Sequence, residues 1–330
     1  MREASPAATL IEITTGHILP RCLHVVAELG VADALDGTPR GAAELAAAVG
    51  ADPDALGRML RLLAAHGVFE CRGDAIGHSA MSRLLRSDYP HSVRAFARMI
   101  GARHNWAPYG AMEHTLRTGR PAAPEVFPEG VWGYLAQHPQ EAEVFNAAMV
   151  AKAHGMVAGV LGAYDFGAFA TVADVGGGSG HLLRAVLDAV PAAAGVLFDL
   201  PHVTAAAAPL ASGRLALQGG DFFRDALPVC DAYLLMEVLH DWPDAEALAI
   251  LRAVRRAAPP HARLLVIEQM VPDDPGPAWA KVIDVHMLVL LGGRQRTRGQ
   301  YQALLEQARF RLERQIDTGA GVAILEATPV

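Results

Sequence analysis

The chain has 330 residues, of which 52% are hydrophobic and 19% are charged, and its formal net charge is -7. This length and apolar content suffice for two domains with sizeable cores. The acidic balance argues against a nucleic-acid-binding protein, which normally carries a basic excess. The three cysteines form no CxxC pair and predict neither a disulfide framework nor a zinc site. No secretory signal pattern and no apolar run of ~18–20 residues is evident, so we expect a cytoplasmic protein without membrane contact.

Residues 10–90 have the pattern of short helices followed by a hairpin. Asp52 is placed to cap a helix that begins at Pro53, and Gly67 lies just past its end. Two short strands are predicted in residues 68–79. Helix, turn, helix and hairpin is the pattern of a winged helix.

A winged helix suggests DNA binding, but this one has an unsuitable second helix. The segment "LGRMLRLLAAHG" (56–67) carries Arg58 and Arg61, whereas a recognition helix usually presents more polar, base-reading side chains. We therefore predict that residues 1–100 form a packing and dimerisation domain of a homodimer. A winged-helix regulator is the less favoured alternative.

The rest of the chain divides into two parts. Residues 101–165 are predicted to be a helical linker that contributes to a binding pocket, and residues 166–330 alternate short apolar strands with helices. Such alternation is typical of a doubly wound, Rossmann-like α/β sheet covered on both faces. The predicted strands are 170–175, 195–199, 214–218, 231–236, 263–268, 311–316 and 321–327.

The stretch "VADVGGGSGHLL" (172–183) joins the first strand of this sheet to its first helix. A dinucleotide fingerprint is disfavoured because His181 stands where the third glycine belongs, and a P-loop is disfavoured because its lysine is missing. The remaining pattern is an acidic residue, Asp174, followed by glycines at alternate positions that include Gly176 and Gly178. This pattern predicts a turn whose bare backbone contacts a ligand directly.

Three more residues indicate which ligand this is. Asp199 ends the second strand, where a carboxylate can accept hydrogen bonds from both hydroxyls of a ribose. Asp221 and Phe222 follow the third strand and can meet the amine and the face of a purine. A glycine turn with these residues and no phosphate site suits an adenosine without phosphates, and S-adenosylmethionine is such a ligand.

At this point the chain resembles the S-adenosylmethionine-dependent small-molecule O-methyltransferases. This family includes plant caffeate and flavonoid enzymes and bacterial enzymes that tailor aromatic polyketides. The resemblance covers nearly the whole chain and implies an enzyme with an aromatic small-molecule acceptor. Its motifs are "DVGGGSG" (174–180), "DLPHV" (199–203), "GDFF" (220–223), "HDWPD" (240–244) and "DVHMLVLLGGRQRT" (284–297).

The resemblance also implies the roles of individual residues. His240 matches the catalytic base, and Glu268 matches a carboxylate that orients it. Gln295 stands where plant members carry a second carboxylate, so we expect it to bond the histidine without adding charge. Met236 stands where plant members carry a lysine near the cofactor. We count Met236 and Asp174 among the predicted cofactor-binding residues.

The resemblance places the acceptor between Met149 and Met287, and we add Trp106 and His286 to this pocket. With His240 and Asp241, His286 could instead form a two-histidine, one-carboxylate metal site, but the family generally needs no metal. We therefore expect none.

Two alternatives remain for the chemistry. A relative can keep the fold and cofactor yet catalyse another step, such as hydroxylation, because fold alone does not fix chemistry. His240 could also be a structural histidine, because the chain has fourteen histidines. Its position at the ligand-binding edge of the sheet, together with Glu268, favours methyl transfer. Asp244 is predicted only to cap the helix that follows it.

Overall fold

The structure is a computed structural model that describes residues 5–330. These residues divide into two compact units. The first comprises the described residues up to Trp106 together with His138–Lys152, and the second comprises Ala107–Gln137 and Ala153–Val330.

The first unit is mostly helical and carries a small sheet with the strand order β1-β3-β2. The hairpin of β2 and β3 follows two helices, so the predicted order of helix, helix and hairpin is confirmed. The elements are α1 (Pro6–Thr15), α2 (Ile18–Leu29), β1 (Arg40–Gly41), α3 (Ala42–Val49), α4 (Pro53–Ala65), β2 (Phe69–Arg72), β3 (Ala75–His78), α5 (Ala80–Arg83), α6 (Arg94–Gly101) and α7 (Arg103–Trp106).

Helix α4 begins and ends where its sequence predicts. The Asp52 carboxylate accepts a hydrogen bond from the Ala55 N–H at 2.8 Å, which caps the first turn. Gly67 has a φ of +77°, a left-handed conformation that favours glycine after a helix end. The buried face of α4 joins the core of this unit through Leu56, Leu60 and Leu63.

The segment predicted as a linker, residues 101–165, is divided between the two units. Residues 107–137 belong to the second unit, where the Ala122 N–H donates to the Val289 carbonyl at 2.8 Å. Residues 138–152 belong to the first unit, where Glu141 accepts from His104 Nδ1 at 2.8 Å. The sequence gives no sign of this division because both pieces are equally helical. The elements are a 3-10 helix (Ala107–Ala111), α8 (Met112–Thr118), α9 (Ala123–Val126), α10 (Gly130–Gln137) and α11 (Pro139–Ala163).

Helix α11 is more apolar than we expected. Its 25 residues include an 18-residue window with a mean hydropathy of 1.4, of which 11% is buried, so by length and composition it could span a membrane. It is the one helix of this kind within residues 5–330. Buried helices of folded domains pass the same test, and a single such helix is weak evidence for a span.

The second unit contains the predicted α/β sheet, and each predicted strand is observed within about two residues of its bounds. The elements are β4 (Thr171–Val175), α12 (His181–Ala189), β5 (Ala194–Asp199), α13 (Pro201–Ala206), a 3-10 helix (Ala208–Leu210), β6 (Leu215–Gly219), β7 (Ala232–Met236), a 3-10 helix (Leu239–Asp241), α14 (Asp244–Ala257), β8 (Arg263–Glu268), α15 (Trp279–Leu290), α16 (Arg298–Gln307), β9 (Phe310–Asp317) and β10 (Ala323–Pro329).

The strand order is β6-β5-β4-β7-β8-β10-β9, with β4 to β8 parallel and β10 antiparallel to both of its neighbours. Apolar clusters cover both faces, which explains the near-continuous apolar runs of the central strands. The doubly wound, Rossmann-like fold is thus confirmed. The order reverses between β4 and β7, and ligands of such sheets bind outside the carboxyl ends of the strands at this point.

Candidate active site

The glycine loop after β4 lies at this switch point. Gly176, Gly178 and Gly180 have φ values of +71°, +58° and +70°, a left-handed region that glycine enters without strain. A Cβ atom on Gly177 would lie 2.5 Å from the Asp174 carboxyl carbon, so the loop packs directly on that residue. A Cβ on Gly178 would meet nothing within 4 Å. The backbone of Gly178 therefore borders open space, as a backbone ligand site requires.

Asp174 is buried beneath this loop. Burial raises the pKa of its carboxyl to about 7, with the charge of Asp199 adding to the rise and the Leu183 N–H opposing it. Its carboxyl group thus packs directly under the backbone of Gly177.

Asp199 joins the end of β5 to the glycine loop. Its Oδ2 accepts a hydrogen bond from the Gly178 N–H at 2.8 Å, and its Oδ1 accepts one from the Leu200 N–H at 2.7 Å. Burial raises the pKa of this carboxyl, and the two N–H groups oppose the rise. The sequence predicts a ribose-binding residue here but gives no sign of the tether to Gly178.

Phe222 brings the segment after β6 to the same place. Its Cε1 atom lies 3.8 Å from where a Cβ on Gly176 would be, and a methyl of Val238 lies 3.0 Å from that point. The ring also meets Trp242 edge-on, with centroids 5.9 Å apart. Asp221, beside it, accepts a hydrogen bond from the Phe223 N–H at 2.9 Å. The predicted purine-binding pair thus adjoins the glycine loop.

The turn after β7 carries His240, which is buried in the short 3-10 helix. Its Nδ1 lies 2.7 Å from Oε2 of Glu268, a buried residue that ends the neighbouring strand β8. The other oxygen, Oε1, accepts hydrogen bonds from the N–H groups of Leu239 at 2.9 Å and His240 at 3.2 Å. The structure therefore brings the predicted histidine and carboxylate together, and one carboxylate holds both the ring and its backbone.

The far ring nitrogen of His240 also meets a carboxylate, since Nε2 lies 3.3 Å from Oδ1 of Asp241. Burial alone would lower the pKa of His240, but the charges of Glu268, Asp241 and Glu237 raise it to about 9. The imidazole is therefore mostly protonated at neutral pH unless another positive charge comes near.

Met236 ends β7 half-buried at this edge, and the residue after it has an unusual backbone. Glu237 has a φ of +53°, which is uncommon and strained for a residue with a side chain. Its carboxylate accepts a hydrogen bond from Gln269 Nε2 at 2.6 Å. Neither the strain nor this pair leaves a sign in the sequence.

Gln295 is not bonded to His240, in contrast to our expectation. Its backbone N–H donates to Asp284 at 2.9 Å, and the side chain is only 2% exposed. Within residues 5–330, neither its amide oxygen nor its amide nitrogen has a hydrogen-bond partner. Both ring nitrogens of His240 face carboxylates instead.

Two predicted acceptor residues lie on α15 in the second unit. His286 Nδ1 is 2.7 Å from the hydroxyl of Tyr109, and the two rings stack with centroids 6.1 Å apart. Burial raises the pKa of the Tyr109 hydroxyl. Met287, the next residue, is buried. Across residues 5–330, no group of three or more His, Cys, Asp or Glu side chains is arranged to hold a metal ion.

The other two predicted acceptor residues, Trp106 and Met149, lie in the first unit. The Arg21 guanidinium stands 5.0 Å from the centre of a Trp106 ring, and His24 meets that side chain edge-on at 5.5 Å. Trp106 is thus packed within its own unit by a cation–π contact. Met149 is half-buried on α11.

Asp244 does not cap α14 as predicted. It is the first residue of the helix, and no side-chain cap is formed there. Its carboxylate instead lies 2.8 Å from Arg296 and 3.2 Å from Arg294. Charge-assisted hydrogen bonds to guanidinium groups are stronger than those to neutral N–H groups, which explains the exchange.

Comparison with known proteins agrees with this arrangement. A family model described as an O-methyltransferase domain matches residues 109–311, and a model described as an O-methyltransferase dimerisation domain matches residues 11–88. Together the two models match most of both compact units.

Individual relatives match over nearly the full chain. A phenazine O-methyltransferase from Lysobacter antibioticus is 39% identical and covers 98% of this chain and 96% of its own. A mitomycin biosynthesis 6-O-methyltransferase from Streptomyces lavendulae is 38% identical, with coverages of 98% and 95%. The crystal structure of an O-methyltransferase from neocarzinostatin biosynthesis, in complex with S-adenosylmethionine and 2-hydroxy-5-methyl naphthoic acid, has a TM-score of 0.81 and 33% identity, covering 94% of this chain and 96% of that one.

Proposed function

Because the chain belongs to the S-adenosylmethionine-dependent O-methyltransferases, we propose that it methylates a phenolic hydroxyl with His240 as general base. The family membership sets the cofactor and the reaction class, which is O-methylation of aromatic substrates in secondary metabolism. The observation that carries the finer proposal is the buried pair of His240 and Glu268, which stands at the carboxyl ends of β7 and β8 beside the glycine loop.

The residues around the glycine loop fit S-adenosylmethionine. When bound, this cofactor supplies a methyl group carried on a positively charged sulfur. We assign the loop backbone at Gly176 and Gly178 to its contact surface, Asp199 to its ribose hydroxyls, and Asp221 with Phe222 to its adenine. The support for these roles is that the Gly178 backbone borders open space, that Asp199 bonds the Gly178 N–H, and that Phe222 lies beside Gly176. Met236, at the end of β7, completes the surface, and Asp174 supports it from below.

The histidine supplies the proton acceptor. A phenol with a pKa near ~10 is mostly protonated at neutral pH, and removal of its proton by a positioned imidazole accelerates such reactions by roughly 10²–10⁴. Glu268 accepts a hydrogen bond from Nδ1–H, which leaves Nε2 as the basic nitrogen of the neutral ring. A positive charge close to the ring disfavours the imidazolium and brings the raised pKa of His240 towards neutrality.

The acceptor is an aromatic hydroxy compound with a further polar group. The buried amide of Gln295 has a free donor and a free acceptor among the described residues, and leaving such groups unpaired costs about 1–3 kcal/mol. We assign it, with His286, to polar substituents of the acceptor. Met287, the residue after His286 on α15, is assigned to its aromatic face, as the family resemblance implies.

Helix α1 provides the argument for a homodimer. None of its residues is buried, although it is apolar along much of its length. Exposed fractions of 65%, 66% and 70% for Leu10, Ile11 and Ile13 leave a patch that a partner subunit would cover. Light scattering at micromolar concentration should give twice the chain mass of 34.9 kDa, and a monomer would contradict the assignment.

The proposed reaction is tested by incubating the protein with methyl-labelled S-adenosylmethionine and a panel of aromatic acceptors. Each phenol is paired with the aniline of the same skeleton, so that transfer to oxygen and transfer to nitrogen are separated. Label should pass to phenols. A protein that binds the cofactor but labels none of the phenols would favour the non-methylating alternative.

A further inference from the structure

Arg296 is a fully buried arginine in the segment after α15. Its guanidinium donates to the carbonyl oxygens of Leu239 and Trp242, each at 2.8 Å. It also bonds the Asp244 carboxylate at 2.9 Å and the Arg294 carbonyl at 3.2 Å. Three of these four partners lie in the short stretch 239–244, on either side of His240. The Arg296 side chain is thus hydrogen-bonded to the turn that carries the proposed base.

The backbone of residues 293 and 294 also contacts the turn around His240. The Arg294 N–H donates to the carbonyl oxygen of His240 at 2.8 Å. A Cβ atom on Gly293 would overlap that oxygen and the backbone of Asp241. The φ of Gly293 lies outside the left-handed region, so this close approach, rather than backbone strain, excludes a side chain. We call residues 293–296 the clamp.

We propose that Gly293 and Arg296 are positioning residues that set the ring of His240 against Glu268, an inference that rests on His240 being the base. The turn makes no sheet hydrogen bonds of its own, so its place depends on what holds it. Glu268 bonds its N–H groups and the clamp bonds its carbonyl groups. With both held, the ring has one orientation.

The chemistry of these hydrogen bonds favours a positioning role for Arg296 over a role in the stability of the fold. Burying a guanidinium in place of a well-packed apolar side chain is often neutral or unfavourable for stability. Its five donors in a fixed fork, however, fix the relative places of several acceptors at once. Small displacements of a reacting group lower the reaction rate strongly. A rigidly held turn would therefore benefit catalysis.

Gly293→Ala is the sharpest test, and Gly299→Ala is its matched control. Residue 299 lies in α16, and a Cβ there has its nearest neighbour, Thr297 Oγ1, at 4.0 Å. We expect Gly293→Ala to lower kcat at least tenfold and to shift the apparent pKa in the pH profile of kcat/KM. The dissociation constant of S-adenosylmethionine should stay within twofold, and Gly299→Ala should behave as the unchanged protein.

Wild-type kcat and pH profile in a folded Gly293→Ala protein would overturn the proposal, and so would equal losses of kcat and cofactor affinity. If Gly293→Ala does not fold, Arg296→Lys serves instead. It keeps the buried charge, but its ammonium has too few donors for four acceptors, so the same lowered kcat and shifted profile are expected, and an unchanged profile overturns the proposal. His240→Gln, assayed alongside, distinguishes the two hypotheses. Full activity in His240→Gln refutes the base, whereas loss there with an unaffected Gly293→Ala refutes only the clamp.

Discussion

The glycine loop and the histidine turn meet at the same edge of the sheet but are built in opposite ways. The loop from Gly176 to Gly180 consists of bare backbone in left-handed conformations, and one carboxylate, Asp199, ties it to the next strand. The turn around His240 is held by buried charged groups, Glu268 on one side and Arg296 on the other.

The difference teaches which part of the site tolerates which kind of change. A surface made of backbone depends on the absence of side chains and fails when a Cβ atom is added. A turn held by buried charges fails when Glu268 or Arg296 is removed, because the remaining buried group is left unpaired. Each half should therefore be separable from the other by substitution.

Removal of the proposed base should give the largest effect. We expect His240→Ala to lower kcat by roughly 10²–10⁴, since an imidazole that takes the acceptor proton contributes about this factor. His240→Gln is the control for folding, because its amide can still donate to the buried Glu268. Both variants should bind S-adenosylmethionine as the unchanged protein does. The loss should shrink for acidic phenols, which are already ionised at neutral pH, and equal losses for all phenols would contradict the assignment.

Asp199→Ala should weaken cofactor binding at the glycine loop and leave the histidine turn unaffected. Loss of a carboxylate that bonds the Gly178 N–H and the proposed ribose hydroxyls should cost about 1.5–3 kcal/mol or more of cofactor binding. This corresponds to a dissociation constant raised at least about tenfold, measured by calorimetry. The pH dependence of kcat at saturating cofactor should not move. Unchanged affinity would remove Asp199 from the cofactor site.

A smaller effect is expected from adding a side chain to the loop. Gly178→Ala places a Cβ in the open space beside the loop and forces alanine to a φ of +58°, at a strain of roughly 1–2 kcal/mol. We expect cofactor affinity to fall several-fold and Tm to fall by a few degrees. Gly213→Ala is the matched control, because a Cβ there meets nothing within 4 Å and its φ is not left-handed. Equal affinities in the two variants would show that the Gly178 backbone does not contact the cofactor.

The smallest effect should come from Asp241→Asn, which removes one of the charges that raise the pKa of His240 to about 9. Without it the pKa of the histidine falls, and a larger fraction of the ring is neutral at pH 7. The acid limb of the kcat/KM profile should therefore move to lower pH, and kcat/KM at pH 7 should rise a few-fold. An unmoved limb would mean that the profile does not report His240.

The parallel strands β4 to β8 were predictable because they are short and mostly apolar, which leaves few alternatives for their bounds. Helix α4 was predictable because the Asp52 cap, the proline and Gly67 are local signals. The insertion of β10 between β8 and β9 was not, because strand order depends on pairing between distant segments and leaves no local pattern.

The site was predictable where the family resemblance assigns the residues, as for the pairing of His240 with Glu268. It was not where the role depends on a distant partner. Asp244 stands at a helix start and resembles a cap, yet its carboxylate bonds Arg296, 52 residues away. Arginine is rarely fully buried, so its residue type gives no sign of the position that Arg296 takes. The left-handed Glu237 is hidden for the same reason, because only the folded surroundings impose it.

The antiparallel strand β10 has a consequence for how the chain folds. Residue Ala323 on β10 stands opposite Glu268, and Ile324 stands opposite Ile267. The carboxylate that bonds His240 therefore sits on a strand whose outer edge is completed only when a segment more than fifty residues further along has docked. Pairings between such distant segments form slowly, because loop closure precedes any gain from contact. We expect refolding followed by enzymatic activity to lag behind refolding followed by burial of the apolar strands, with docking of β10 as the late event.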